Sequence, residues 1–141
     1  MHDRAHRLRF RCKVWLDADR RFAVGDGGIA LLRAIDETGS VRAAAQRVGW
    51  SYRHALGYLD NADAALGRAL VARARGGMER GGARLTPDGR RFVRQYAAFR
   101  RRLDAVVLRL TQSTLDALDT RTAPKEPPAP PPRASRSWAA R

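Results

Sequence analysis

Residues 73–84 read RARGGMERGGAR, four arginines and four glycines in twelve residues with one acid, Glu79. That composition is suited to anion binding, and two scaffolds deliver it. A phosphate-cradling P-loop has a strand before it, a helix directly after it, and a Gly-Lys-Ser/Thr end that supplies the cation for the β/γ-phosphates and the Mg²⁺ ligand. This stretch has no lysine, and it runs into the strand-like ARLT instead of a helix. The second scaffold is a hairpin tip: its glycines supply positive φ, and Arg73, Arg75, Arg80 and Arg84 meet phosphates or a minor groove. A solvated loop without a partner is the bland alternative. No motif places a Ser/His/Asp or Cys/His set, so neither catalysis nor a cofactor is expected. His2 and His6 fit one helix face as metal ligands, yet they sit in an unanchored N-terminus and read as incidental, with no metal site expected. Cys12 stands alone, which excludes an internal disulfide and fits a reducing compartment.

Charge narrows the partner. Lysine and arginine number 28 against 14 acids in 141 residues, a formal charge of +14 that favours polyanions such as nucleic acid or anionic lipid. Only five of the basic residues and one acid lie beyond residue 120, so residues 1–120 keep an excess of ten. The field belongs to the fold and not to the tail. No run of about 18 apolar residues exists to span a bilayer, and the N-terminal MHDRAHRLRF has no apolar segment behind it for a secretory signal. A cytoplasmic chain without membrane contact is expected.

The elements that must position these cations follow from periodicity. Leu8, Phe10, Cys12, Val14 and Leu16 alternate with Arg9, Arg11, Lys13 and Trp15, the pattern of a half-buried strand; DADRR then turns the chain into a second strand, FAV, and GDGG breaks it. Ile29, Leu32 and Ile35 predict a helix over residues 28–38 ending at Gly39. Ser40 caps a short helix with Val41, Ala44, Ala45 and Val48 on one face and Arg42, Gln46 and Arg47 on the other, and Gly49 ends it. A third helix covers roughly residues 52–66 with the stripe Ala55, Tyr58, Leu59, Ala62. Two short helices joined by a glycine-containing turn are a helix-turn-helix. Residues 69–73 and 82–86 predict strands flanking the glycine-rich loop. Thr86 caps a long helix with Pro87 at its first position, and Phe92, Tyr96, Phe99, Leu103, Val106 and Leu110 form a heptad seam along it, read as a dimerisation surface with packing onto its own winged helix as the bland alternative. Leu115 and Leu118 fall out of register. Six of the seven prolines lie in residues 123–141, a composition that favours extended or disordered chain.

The order hairpin, helix, helix-turn-helix, hairpin, long helix predicts a mainly α (α+β) winged helix. The expected divisions are a flexible basic N-terminus at 1–7, a winged helix-turn-helix at 8–85, a long dimerisation helix at 86–119 and a proline-rich tail at 120–141. Residues 43–96 resemble the DNA-binding domain of the molybdate-responsive ModE transcription regulators, itself similar to the N-terminal winged helix of LysR-type regulators. The likeness extends over about residues 8–112 and is carried by GWSYRHA, by the GG…GGARLTPDGR wing and by the helix cap after it.

The resemblance implies a homodimer held by the long helix and its neighbours, with each recognition helix in a major groove of double-stranded DNA. By position it makes Ala45 the small residue at the helix crossing, Gly49 the turn, and Val48, Trp50, Ala55 and Tyr58 buried. It turns Ser51, Tyr52, Arg53 and Gly57 to the DNA, with His54 and Leu56 at the margins. Near a helix N-terminus Ser51 and Tyr52 can bond phosphate, and Arg53 can bond guanine O6 and N7 together; Tyr52 and His54 read equally well as packing residues. Arg42 and Arg47 read as backbone contacts or as solubility. Full-length ModE regulators carry strand-rich molybdate-binding domains after the long helix; the proline-rich residues here have no strand patterning, so molybdate binding is not expected of them. A winged-helix module for protein interaction and an unspecific architectural nucleic-acid binder are the alternatives to a sequence-specific regulator.

Overall fold

The structure is a computed structural model that describes residues 8–74 and 82–118. It is a winged helix: β1 (Trp15–Ala18), β2 (Arg21–Gly25), α1 (Asp26–Thr38), α2 (Val41–Val48), α3 (Tyr52–Leu66), β3 (Val71–Arg73), β4 (Ala83–Leu85) and α4 (Pro87–Leu118). Helix α1 is the centre, since Ile29, Leu31, Leu32, Ala34 and Ile35 are all buried, and α2, α3, β2, β4 and α4 are gathered about it and one another.

The opening hairpin is shorter than the alternation predicts. β1 begins at Trp15, and residues 8–14 lie in no strand. The physical reason is the length of the partner: β2 has only five residues, and the antiparallel register from Trp15↔Gly25 to Ala18↔Arg21 uses all of it around one irregularity at Leu16/Asp17. Leu8 and Phe10 are consequently exposed. Asp19 and Arg20, both with positive φ, close the two-residue turn that matches strand twist. Helix α1 starts at Asp26, two residues before the expected Gly28, because a carboxylate in the first turn suits the positive end of the helix dipole.

Left-handed glycines then fold three helices back in short order. Gly39, Gly49 and Gly67 end α1, α2 and α3 with φ of 66°, 77° and 67°, a conformation that glycine adopts without the Cβ penalty. Ser40 accepts from the Ala43 N–H and Ser51 from the His54 N–H, capping α2 and α3. The wing strands pair antiparallel, Val71↔Leu85 to Arg73↔Ala83, with Val71, Ala83 and Leu85 buried. The Ala83 N–H donates to the Gly39 carbonyl, fastening the wing to the α1–α2 turn.

The start of α4 is fixed by Thr86. Its hydroxyl accepts from the Gly89 N–H and lies within bonding distance of the Ala69 and Leu70 carbonyls. Gly89 is seated so closely that a Cβ there would lie 2.1 Å from the Leu70 carbonyl oxygen, a backbone atom. Gly89→Ala should therefore force α4 away from the wing and cost about 1–3 kcal/mol, measured as a lower denaturant midpoint. An unchanged midpoint would mean that α4 is not held at this point.

Candidate nucleic-acid interface

The roll of α3 about its axis decides which side chains face outward. Ala55, Leu59 and Ala62 are buried, Tyr58 is half-buried, and Ser51, Tyr52, Arg53, His54 and Gly57 are all exposed. Of the four positions expected to be buried around the turn, Ala55 is fully so, Val48 and Trp50 are half-buried against the core, and Tyr58 is half-buried. Leu56 is likewise packed against the core, not free at the margin.

Aromatic contacts fix that roll. The Tyr58 hydroxyl accepts from the Gly25 N–H at 2.9 Å, and its ring meets Phe22 edge-on and Trp50 at a tilt. Burial pushes the Tyr58 phenol above its ordinary pKa, opposed by the N–H groups of Gly25 and Gly28. His54 lies edge-on to Trp50 with centroids 4.5 Å apart, so it is both exposed and anchored. Tyr52 has a different neighbour: the Arg42 guanidinium sits 4.2 Å from its ring centre, a cation–π stack joining α2 to the entrance of α3.

The expected basic residues separate into groups. Arg42 and Arg73 line one groove with Tyr52 and Gln46, between α2, the start of α3 and the wing. Arg53 lies across α3 in a shallow hollow with Ser51, His54, Gly57 and Asn61. Arg84 is exposed on β4, and Arg47 is held by Glu37 of α1. Arg73 donates to Asp60 at 2.6 Å. Arg75 and Arg80 lie outside the described residues, as do His2 and His6. Asn61 was missed by sequence reasoning; extending the 54, 57 periodicity by one more turn would have found it. Among the described residues no group of three His, Cys, Asp or Glu side chains is placed to hold a metal, and no helix is long and apolar enough to cross a membrane.

The heptad seam divides where the core ends. Phe92 and Tyr96 are packed against their own core, where the first turns of α4 lie on α1 and β4. The Tyr96 hydroxyl lies 2.7 Å from Asp26 Oδ1 and 3.1 Å from the Val14 carbonyl, and burial followed by the Asp26 hydrogen bond raises its pKa. Arg100 completes the cluster by donating to Asp26 and to the Cys12 carbonyl. Farther along, Leu103 is half-buried, and Phe99, Val106 and Leu110 are exposed, Leu110 by 72%.

Residues 28–90, from the first turn of α1 to the first turn of α4, match the family profile of the bacterial regulatory helix-turn-helix proteins of the lysR family. The likeness to ModE regulators is borne out as well. Over 104 residues the chain is 36% identical to the molybdenum transport protein ModE of Azotobacter vinelandii, covering 74% of this chain and 38% of that protein. Over 104 residues it is 39% identical to the molybdenum-pterin-binding protein MopB of Rhodobacter capsulatus, covering 73% and 37%. The transcriptional regulator ModE of Yersinia pestis is 40% identical over 68 residues, covering 48% and 26%. The chain thus spans less than two fifths of the length of these relatives. Among solved structures the CbnR_DBD-DNA complex is similar at 27% identity and a TM-score of 0.47, covering 64% of this chain and 94% of that one.

The helix-turn-helix depends on Tyr58 for its orientation. Tyr58→Phe leaves the Gly25 N–H without its partner and should lower stability by about 1–3 kcal/mol, seen as a reduced urea midpoint at unchanged slope. No change would show that the hydroxyl contributes nothing to seating α3.

Proposed function

We propose that the chain carries the DNA-reading domain of a cytoplasmic transcription regulator that binds as a homodimer, a binding protein and not an enzyme. One observation supports this reading above the others: within a lysR-family helix-turn-helix, α3 presents Ser51, Tyr52, Arg53, His54 and Gly57 outward on a helix whose opposite face is locked into the core. In the proposed complex α3 enters the major groove, Arg53 bonds a guanine edge, and Ser51 and Tyr52 meet phosphate beside it. Arg42, Arg73 and Arg84 meet the backbone, and Arg75 and Arg80 extend that contact. Residues 8–85 read DNA in this scheme and 86–119 join two copies.

Gly57 has a particular place in it. A Cβ added there would meet nothing within 4 Å among the described residues, whose packing does not require a glycine in this helix interior. Close approach of a base or sugar does supply a reason. The dimer is assigned to the far part of the α4 seam, the exposed Phe99, Val106 and Leu110 with the half-buried Leu103, because two half-sites read together raise specificity above that of one winged helix.

Three outcomes are expected. Against a duplex selected from random DNA, Arg53→Ala relaxes discrimination at one base position by about 1–3 kcal/mol; an equal loss on selected and random DNA would remove Arg53 from base reading. Gly57→Ala stabilises the fold by about 0.5–1 kcal/mol while weakening binding to the selected duplex, and improved stability with unaltered binding would place Gly57 outside the interface. Leu110→Glu keeps the fold and converts a dimer to a monomer in analytical ultracentrifugation; a persisting dimer would locate the interface elsewhere.

A further inference from the structure

Arg73, at the end of β3, reaches across from the wing base to α3. Its Nη2 lies 2.6 Å from Asp60 Oδ1, thirteen residues earlier in the chain. Asp60 occupies a telling position on α3. Arg53, Gly57, Asp60 and Ala64 recur at intervals of four, three and four residues and are all exposed, so they form one outward stripe. A carboxylate therefore stands one turn beyond Gly57 on the face that would lie nearest DNA. A second carboxylate is close behind it: Asp63 feels the charges of both Arg73 and Asp60, and its own oxygen accepts from the Leu70 N–H at 3.0 Å.

A negative side chain on a helix that approaches a polyanion is unfavourable by itself. Arg73 offsets it in the free protein, and the same guanidinium is a natural phosphate ligand. Carboxylate and phosphate thus compete for one cation. When the phosphate takes it, Asp60 is left uncompensated on random DNA, whereas on a cognate site a cytosine N4 amino group donates to it and offsets the loss.

We propose that Asp60 is a specificity-determining residue: paired with Arg73, it withholds that arginine from random DNA and releases it to a phosphate only when α3 is seated on its cognate bases. This rests on the DNA-reading function proposed above. Both side chains are exposed, so Asp60→Asn keeps the shape of the surface and does not threaten the fold.

The test uses the full chain as wild type, Asp60→Asn, Arg73→Gln and the double variant. Each is titrated by fluorescence anisotropy against a random-sequence duplex and a duplex selected from a random pool with the wild type, over about 50–200 mM salt. For Asp60→Asn the expected result is binding to the random duplex at least about fivefold tighter, with a salt slope steeper by about one phosphate contact. Binding to the selected duplex should change by less than about twofold, so that the specificity ratio falls. In the Arg73→Gln background the gain should disappear. A gain that persists without Arg73 would overturn the proposal, since general charge repulsion would then be its source. Equal weakening on both duplexes would also overturn it, making Asp60 a brace for the wing. A wild type that prefers its selected duplex, with the preference unmoved by Asp60→Asn, sinks this proposal alone. A wild type that binds neither duplex sinks the DNA-reading function and this proposal together.

Discussion

Tyr58 resting on the bare backbone of Gly28 is the contact on which the rest of the arrangement depends. A Cβ at residue 28 would lie 2.1 Å from the Tyr58 hydroxyl, so the Tyr58 ring lies against α1 at a distance that only glycine allows. The consequences spread outward from that point. The hydroxyl reaches the Gly25 N–H and ties the reading helix to β2, while Trp50 and Phe22 close around the ring. Gly27 is drawn in as well, since a Cβ there would meet the Trp50 ring at 3.0 Å. With α3 unable to roll, the outward residues are settled: a rotation of one residue about the axis, about 100°, would carry Arg53 toward the core and expose Ala55. Specific recognition needs that rigidity, because a side chain reads a base edge only from a fixed distance and direction.

Net charge is a poor measure of how this surface meets an anion. The excess of basic residues is large, but several arginines already have work inside the chain. Arg47 is held by Glu37, Arg73 by Asp60, and Arg100 by Asp26 and Asp104. Arg42 lies over Tyr52, where its charge is shared with an aromatic face and remains open on its other side. Arg53 has no ion-pair partner among the described residues. In the proposed complex, the cation assigned to a base edge thus gives up no ion pair of the described residues on contact. Exposed pairs of this sort contribute little to folding, so their consequence lies in binding, where each must be broken before its arginine neutralises a phosphate.

The helix-turn-helix and its caps were legible in the sequence because they are set by local rules. Gly39 and Gly49 at positive φ, Ser40 and Ser51 at helix starts, and Thr86 before Pro87 each act within four residues of their own position. What failed to be read depends on distant partners. Alternation over residues 8–16 says that one side is apolar, and it cannot say that β2 is too short to pair with all of it. The heptad seam of α4 has the same ambiguity: Phe92 and Leu110 share one periodicity, yet one packs on its own core and the other is exposed. Asp60 and Arg73 are joined across the α3–β3 turn, and no spacing rule links a helical acid to a strand arginine thirteen residues on.

The long helix shows why a division within one element matters. At 32 residues α4 is about 48 Å long, far more than is needed to cover α1. It is fixed at two levels, first where Thr86 and Gly89 meet the Ala69–Leu70 backbone, then about two turns later where Tyr96 and Arg100 engage Asp26 and the backbone of Val14 and Cys12. A helix held at two levels cannot pivot on the domain as it could on one. In the proposed dimer, contact on the far half of α4 would therefore be transmitted as a rigid displacement to α1, and through Gly28 and Tyr58 to α3. The spacing of the two reading helices, and with it the separation of half-sites that the dimer accepts, would then be set by where the exposed seam from Phe99 to Leu110 meets its partner.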